Sequence, residues 1–125
     1  MTIRSLALAA VLVGAGVLAG CGGDDRPSDA AWSVIWDGER GLVPTEAELT
    51  AGGRELCDEL VGLYRERFDD LTPTPSEGLD DAVDAWTEQA EQIAFECPTD
   101  PEILAAEYEA LRRLEAEIDA GLAAG

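Results

Sequence analysis

Apolar residues between positions 77 and 97 recur at alternating intervals of four and three, and this spacing constrains the fold more than any other feature. Leu79, Val83, Trp86, Ala90, Ile93 and Cys97 make up the series. Residues spaced in this way lie on one face of an α-helix. Ser76 can cap the start of the helix and Pro98 stops it, so the pattern predicts a helix from Glu77 to about Glu96.

A second segment begins with a capping signal at Thr45, because Glu48 follows at the capping-box spacing. We predict a helix from Glu46 to about Asp70. Its apolar side carries Leu49, Leu56, Leu60, Tyr64 and Phe68, with Cys57 and Val61 beside them. Gly52-Gly53 weakens this helix by about 1 kcal/mol per glycine relative to alanine. The pair indicates either a close helix contact or a later start near Gly53.

Two further helices complete the prediction. Thr99-Asp100-Pro101-Glu102 combines a cap, a proline at the first helical position and an acid, which favours a helix over 102–122. Ser28-Asp29 can cap a short leading helix through Trp36 that ends at Gly38. No segment alternates as a strand does. The expected fold class is all-α: a small bundle of three main helices plus a short leading helix.

The first twenty residues have the pattern of a secretory signal. Arg4 gives a positive start, and the thirteen residues from Leu6 to Leu18 are apolar or glycine. This run is shorter than the roughly 20 residues that a membrane-spanning helix needs, but it suits a signal sequence.

Leu18-Ala19-Gly20-Cys21 then resembles the lipobox of bacterial lipoproteins, which are cut by signal peptidase II. The resemblance implies cleavage before Cys21 and a diacylglycerol on its sulfur, which would hold the chain at the outer face of the cell membrane. The alternative is an ordinary signal peptide cut near Ala19 or Gly20. We therefore divide the chain into a signal (1–20), a tether (21–28) and a helical domain (29–125).

The charge of the mature chain limits its partners. All 27 acidic residues follow Cys21, against seven arginines, and the mature part contains no Lys or His. A net charge of −20 disfavours nucleic acids and anionic lipid headgroups and favours a basic partner.

Cys57 and Cys97 remain once Cys21 is assigned to lipid. An even pair in an oxidising compartment predicts a disulfide. The two positions are 40 residues apart, so closing this loop stabilises the fold by about 4 kcal/mol. A redox-active or metal-binding pair is the alternative, although no C-x-x-C and no histidine accompany it.

Two groups of residues are candidate partner-binding sites. Trp32 and Trp36 share a helix face with Ile35, and the face either binds a partner or interfacial lipid or covers the core. A second stripe consists of Glu77, Asp81, Asp84, Glu88 and Glu91. It is a docking face for a basic partner, a weak Ca²⁺ surface or simply a solvated helix face.

Catalysis has little support. Without His or Lys in the mature part, the usual general bases and nucleophile pairs cannot be built, and no phosphate-binding glycine loop occurs. We therefore expect no enzyme, no cofactor and no metal site. The expected function is a lipid-anchored, extracytoplasmic, non-catalytic interaction module of the cell envelope, with a basic envelope protein as its expected partner. The alternative is a lipoprotein that binds a small ligand or cation.

The domain also resembles a family of small exported actinobacterial helical domains of unknown function. The resemblance rests on the leading helix ending at Gly38, on Gly53-Arg54-Glu55-Leu56-Cys57-Asp58-Glu59-Leu60, and on the Gln89-Ala90 helix closing in Cys97-Pro98. It covers residues 30–98 and implies a helical fold with a Cys57–Cys97 bridge, without implying an activity.

Overall fold

A computed structural model describes residues 25–124 of the chain, and these form four α-helices without a strand. The helices are α1 (Asp29–Arg40), α2 (Glu46–Arg67), α3 (Glu77–Glu96) and α4 (Pro101–Ala124), with a 3₁₀ turn at Phe68–Leu71 after α2. The all-α prediction is confirmed. Cys21, the signal and most of the tether lie outside the described residues.

Side-chain caps fix three of the helix starts as the sequence predicts. At α1 the Ser28 hydroxyl accepts a hydrogen bond from the Ala31 amide at 3.1 Å. At α2 the Thr45 hydroxyl accepts a hydrogen bond from the backbone amide of Glu48 at 3.1 Å. In return, the Glu48 carboxylate accepts a hydrogen bond from the backbone amide of Thr45 at 2.9 Å. At α4 the Asp100 carboxylate accepts from the Glu102 amide at 2.8 Å. Ser76 occupies the cap position of α3, but its side chain makes no capping hydrogen bond. The prediction of a side-chain cap there was wrong.

Two predicted boundaries needed correction. The leading helix does not end at Gly38 but continues to Arg40, because the next two residues gain partners by staying helical. Glu39 is buried and pairs with Arg67, and Arg40 pairs with Asp119. A glycine inside a helix costs only about 1 kcal/mol, which these contacts can offset.

Helix α2 starts at Glu46 but is interrupted at Gly53, where φ is +62° and ψ is −155°. Only glycine adopts such a backbone without strain. A first helical run thus starts at Glu46, and a second starts after Gly53, near the later of the two predicted starts. The other alternative, a close contact with another helix, is wrong, because a Cβ at Gly53 would meet no atom within 4 Å and one at Gly52 would meet Leu56 of the same helix.

A cluster of aromatic rings fills the core where α1, α2 and α3 meet. The ring centroids of Trp36 and Trp86 are 4.9 Å apart, as are those of Phe68 and Trp86, and Trp32 stacks on Trp36 at 5.8 Å. Tyr64 stacks on Phe68 at 4.5 Å. Aromatic pairs of this kind contribute about 0.5–1.5 kcal/mol each beyond the burial of their area.

The disulfide joins the middle of α2 to the end of α3. Cys57 and Cys97 are bonded, with their Cα atoms 5.9 Å apart, and both are buried. Cys97 follows α3 in a left-handed conformation, with φ of +49°. The predicted pairing is confirmed.

Candidate partner-binding groove

A groove opens on the surface between α2 and α3. It has a volume of about 380 Å³ and is lined by Val61, Arg65, Glu88, Glu91, Gln92 and Phe95. Phe95 is 70% exposed, although its neighbours on α3, Ile93 and Ala94, are buried in the core. Among the described residues Val34 and Ile103 are also large, apolar and exposed, but of these three side chains only Phe95 lines this groove.

The position of Phe95 follows from the helical period and from a contact at the end of α3. The stripe from Leu79 to Cys97 turns Ile93 inward, and Phe95, two residues later, therefore points outward. Arg54 of α2 donates to the carbonyl oxygens of Phe95 and Glu96 at 3.3 and 3.4 Å. This contact ties the last turn of α3 to α2, so the groove is held at that end by a side chain as well as by the disulfide.

The predicted acidic stripe adjoins this groove and faces solvent. Glu77, Asp81, Asp84 and Glu88 are exposed, and Glu91 is half-buried. Within residues 25–124, none of the five forms an ion pair. Glu88 and Glu91 belong to both the stripe and the groove. The structure therefore brings the end of the stripe together with apolar surface, which the sequence pattern alone did not show.

Charge is unevenly distributed across the groove. The α3 wall carries Glu88 and Glu91, whereas the α2 wall carries Arg65, which forms no ion pair with another described residue. An amphipathic segment lying here would place an apolar side chain against Phe95 and Val61 and its basic side chains toward α3. Such complementarity favours one orientation of the partner over the reverse.

The prediction that Trp32 and Trp36 bind a partner was wrong. Trp32 is 0% exposed and Trp36 is 1% exposed, because both rings complete the aromatic core. The indole nitrogens are also occupied: Trp32 donates to the Leu71 carbonyl at 2.8 Å, and Trp36 donates to Asp119 at 3.1 Å. The alternative interpretation, in which this helix face covers the core, is confirmed.

A larger depression of about 450 Å³ lies between the first turn of α2 and the start of α4. Its one charged side chain is Glu46, which already pairs with Arg112. The smaller groove is therefore the better candidate, since it combines an exposed ring with carboxylates that lack partners.

Close to the end of α3, two carboxyl groups from different helices interact. Burial, followed by hydrogen bonding with Glu96, raises the pKa of Glu107 above its ordinary value, while Gln89 donates to Glu107 at 2.9 Å and opposes the shift. Gln92, which lines the groove, donates to Glu96 at 3.1 Å. This pair of acids therefore lies next to the groove without entering it.

Sequence reasoning missed Val61, Arg65, Gln92 and Phe95 as members of one site. A signal for Phe95 was present, because this large apolar residue falls off the apolar stripe of its own helix. No comparable signal marks Arg65, whose place in the groove depends on how α2 packs against α3.

Two other observations bear on function. In residues 25–124 we find no group of three or more acidic, cysteine or histidine side chains that could hold a metal ion, and no helix there is long and apolar enough to span a membrane. Comparisons with protein-family models, curated proteins and solved structures found no match to the chain.

Proposed function

We propose that this protein is a lipid-anchored, non-catalytic interaction module of the cell envelope. In this proposal, diacylated Cys21 holds the domain at the extracytoplasmic face of the cell membrane, because one lipid chain binds reversibly and two anchor stably. The groove between α2 and α3 binds a segment of another envelope protein. The lipobox at Leu18-Ala19-Gly20-Cys21 supports the anchor.

The exposure of Phe95 beside carboxylates that lack ion pairs is the observation that carries the interaction. Burying an exposed Phe side chain contributes about 1.5–3 kcal/mol, which is a useful share of a binding free energy. Glu88 and Glu91 would select basic side chains flanking the apolar contact. The preferred partner is therefore a basic, amphipathic helix, which can lay one apolar face into a groove.

Site-specific photocrosslinking in living cells tests the interaction. A photoreactive amino acid replaces Gln92 in the groove, and a matched chain carries it at Arg113, an exposed site on α4. We expect a crosslinked envelope protein from position 92 that is absent from position 113. The product should disappear in Glu88→Lys/Glu91→Lys and persist in Glu109→Lys/Glu117→Lys, which makes the same charge change at exposed sites of α4.

Identical products from both positions, or a product from position 92 that survives Glu88→Lys/Glu91→Lys, would contradict the groove as the binding site. The absence of any product would contradict the interaction itself.

Mass spectrometry of the mature N-terminal peptide tests the anchor separately. We expect Cys21 to be the first residue and to carry a diacylglycerol, and Cys21→Ala to abolish both cleavage there and lipidation. An unmodified Cys21 would contradict the proposed lipid anchor, but it would not bear on the groove as a binding site.

A further inference from the structure

Arg26, in the last residues of the tether, is clamped to Thr74 in the loop before α3 and to Asp80 in the first turn of α3. Its guanidinium donates to both carboxylate oxygens of Asp80 at 3.2 and 3.1 Å, and to the carbonyl and hydroxyl oxygens of Thr74 at 3.1 Å each. A bidentate arginine–carboxylate pair fixes the geometry as well as the charge. The contacts span 48 and 54 residues of sequence, so they join the tether to a distant part of the fold.

Thr74 and Asp80, the residues that Arg26 binds, are held in place by contacts within the folded domain. Thr74 is fully buried although it is polar, and its hydroxyl lies 2.6 Å from the Asp80 carboxylate. Hydrogen bonding first from Arg26 and then from Thr74 lowers the pKa of Asp80. Two residues after Arg26, Ser28 caps α1 by accepting from the Ala31 amide at 3.1 Å. The chain is thus held on both sides of Pro27.

We propose that the Arg26 clamp sets which end of the bundle faces the membrane. The inference rests on the lipid at Cys21, which belongs to the proposed function. Five residue steps separate Cys21 from Arg26, and an extended chain of that length spans at most about 18 Å. The Arg26 backbone must therefore lie within that distance of Cys21, and the surface around Thr74 and Asp80 lies one arginine side chain beyond it.

The direction of α3 then places the groove away from the bilayer. Asp80 lies near the start of α3 and Phe95 near its end, and fifteen residues of helix extend about 22 Å. The net charge of the mature chain opposes a side-on arrangement, because it would bring more carboxylates within a Debye length, about 8–10 Å, of an anionic surface than the end-on arrangement, in which Asp69, Asp70 and Glu77 lie nearest. The loop over 72–76 therefore faces the membrane, and the groove is presented to the space beyond it.

Energy transfer on vesicles tests this orientation with the full, lipidated mature chain. A small fluorophore is attached through a noncanonical amino acid at Glu77 or at Thr99, at opposite ends of α3, and the acceptor is a headgroup-labelled lipid in anionic vesicles. We expect transfer from position 77 to exceed that from position 99 at least twofold. Arg26→Gln should reduce this ratio toward one, whereas Arg113→Gln, which removes an equal charge at an exposed site on α4, should leave it unchanged.

Equal energy transfer from positions 77 and 99 in the native chain would overturn the proposal. The same holds if Arg26→Gln leaves the ratio of the two transfer efficiencies unaltered. The anchor is judged independently by the intact mass of the same sample, so a missing lipid identifies a failure of the proposed function. In that case NMR relaxation of the unlipidated chain still tests the clamp itself. Residues 25–28 should be as ordered as α1 and should lose that order in Arg26→Gln; a flexible native segment would refute the clamp.

Discussion

The bundle has two halves that are held together by different means. In the aromatic half, Trp32, Trp36, Tyr64, Phe68 and Trp86 pack as a continuous set of buried rings. In the disulfide half, where α2 begins, α3 ends and α4 begins, the core contains no ring from this set, and the Cys57–Cys97 bond joins the helices. Both halves bury apolar area, and the disulfide half, where Leu49, Ile93, Leu104 and Tyr108 are buried, has the covalent link in addition.

The difference shows how so small a domain can leave a large apolar side chain in water. In the disulfide half the covalent bond restrains α2 and α3 without needing Phe95, which remains outside beside the groove. Small exported domains use disulfides in this way because their cores supply limited stability.

The carboxylates of the two halves also differ in their hydrogen-bond partners. In the aromatic half, Glu115 and Asp119 accept from the indole nitrogens of Trp86 and Trp36, both at 3.1 Å. In the disulfide half, Glu96 and Glu107 instead interact with each other. The acids of one half therefore satisfy buried donors, whereas those of the other half repel when both are ionised.

The largest expected effect comes from removing a ring of the aromatic half. Trp36→Ala should lower the free energy of unfolding by about 3–5 kcal/mol, because it leaves a cavity against Trp32 and Trp86 and removes one hydrogen bond to Asp119, which keeps its contacts with Arg40. Urea denaturation followed by circular dichroism measures the change. If that variant does not fold, Trp36→Phe retains a ring and should lose less; no loss in either variant would contradict the role of this cluster.

Removing the disulfide should have the next largest effect. Cys57→Ala/Cys97→Ala should destabilise the domain by about 2–4 kcal/mol, because the unfolded chain regains the freedom of a 40-residue loop. The same denaturation experiment measures it, with the reduced native chain as a chemical control. A double variant as stable as the native protein would show that packing alone holds the disulfide half.

A smaller effect is expected from the pair of acids. The pKa of Glu107 is raised in the folded state. The contribution of this carboxyl group to the free energy of unfolding is therefore fully present when the pH is below its pKa in the unfolded chain, and it is lost as the pH rises through its pKa in the folded chain. Glu107→Gln should therefore stabilise the domain at pH 7, by less than about 1 kcal/mol because the group is largely solvated. The gain should vanish below pH 4 in denaturation curves; a gain that persists there would have another cause.

The smallest effect on stability is expected at the groove. Phe95→Ser should change the free energy of unfolding by less than about 0.5 kcal/mol, because the ring is 70% exposed and its loss leaves no cavity. Thermal and urea unfolding check this. A loss comparable with that of Trp36→Ala would mean that Phe95 supports the fold and is not available to a partner.

The sequence predicted the helices well where local chemistry decides them. The Thr45–Glu48 box and the Asp100-Pro101 start are local signals, and the apolar stripe of α3 matches its buried face. Tertiary contacts decided the rest. Gly38 stays helical because Glu39 and Arg40 find partners on other helices, and this cannot be read from the local sequence.

The candidate site was predictable only in part. The acidic stripe follows from helical spacing and is exposed as expected, but the same reasoning could not separate a tryptophan face that binds from one that packs. That choice depends on α1 lying against the 3₁₀ turn, where Trp32 meets the Leu71 carbonyl. The groove arises from two helices side by side, so no single segment encodes it.

The most direct test of the central claim is the affinity of the crosslinked partner, once purified, for three forms of the protein: native, Phe95→Ser and Val34→Ser. Val34 is the matched control, since it is an apolar residue of α1, 74% exposed and outside the groove. The account predicts that Phe95→Ser weakens binding at least tenfold, about 1.4 kcal/mol, and that Val34→Ser leaves it unchanged. Equal affinities for Phe95→Ser and the native chain would contradict the groove as the site of interaction.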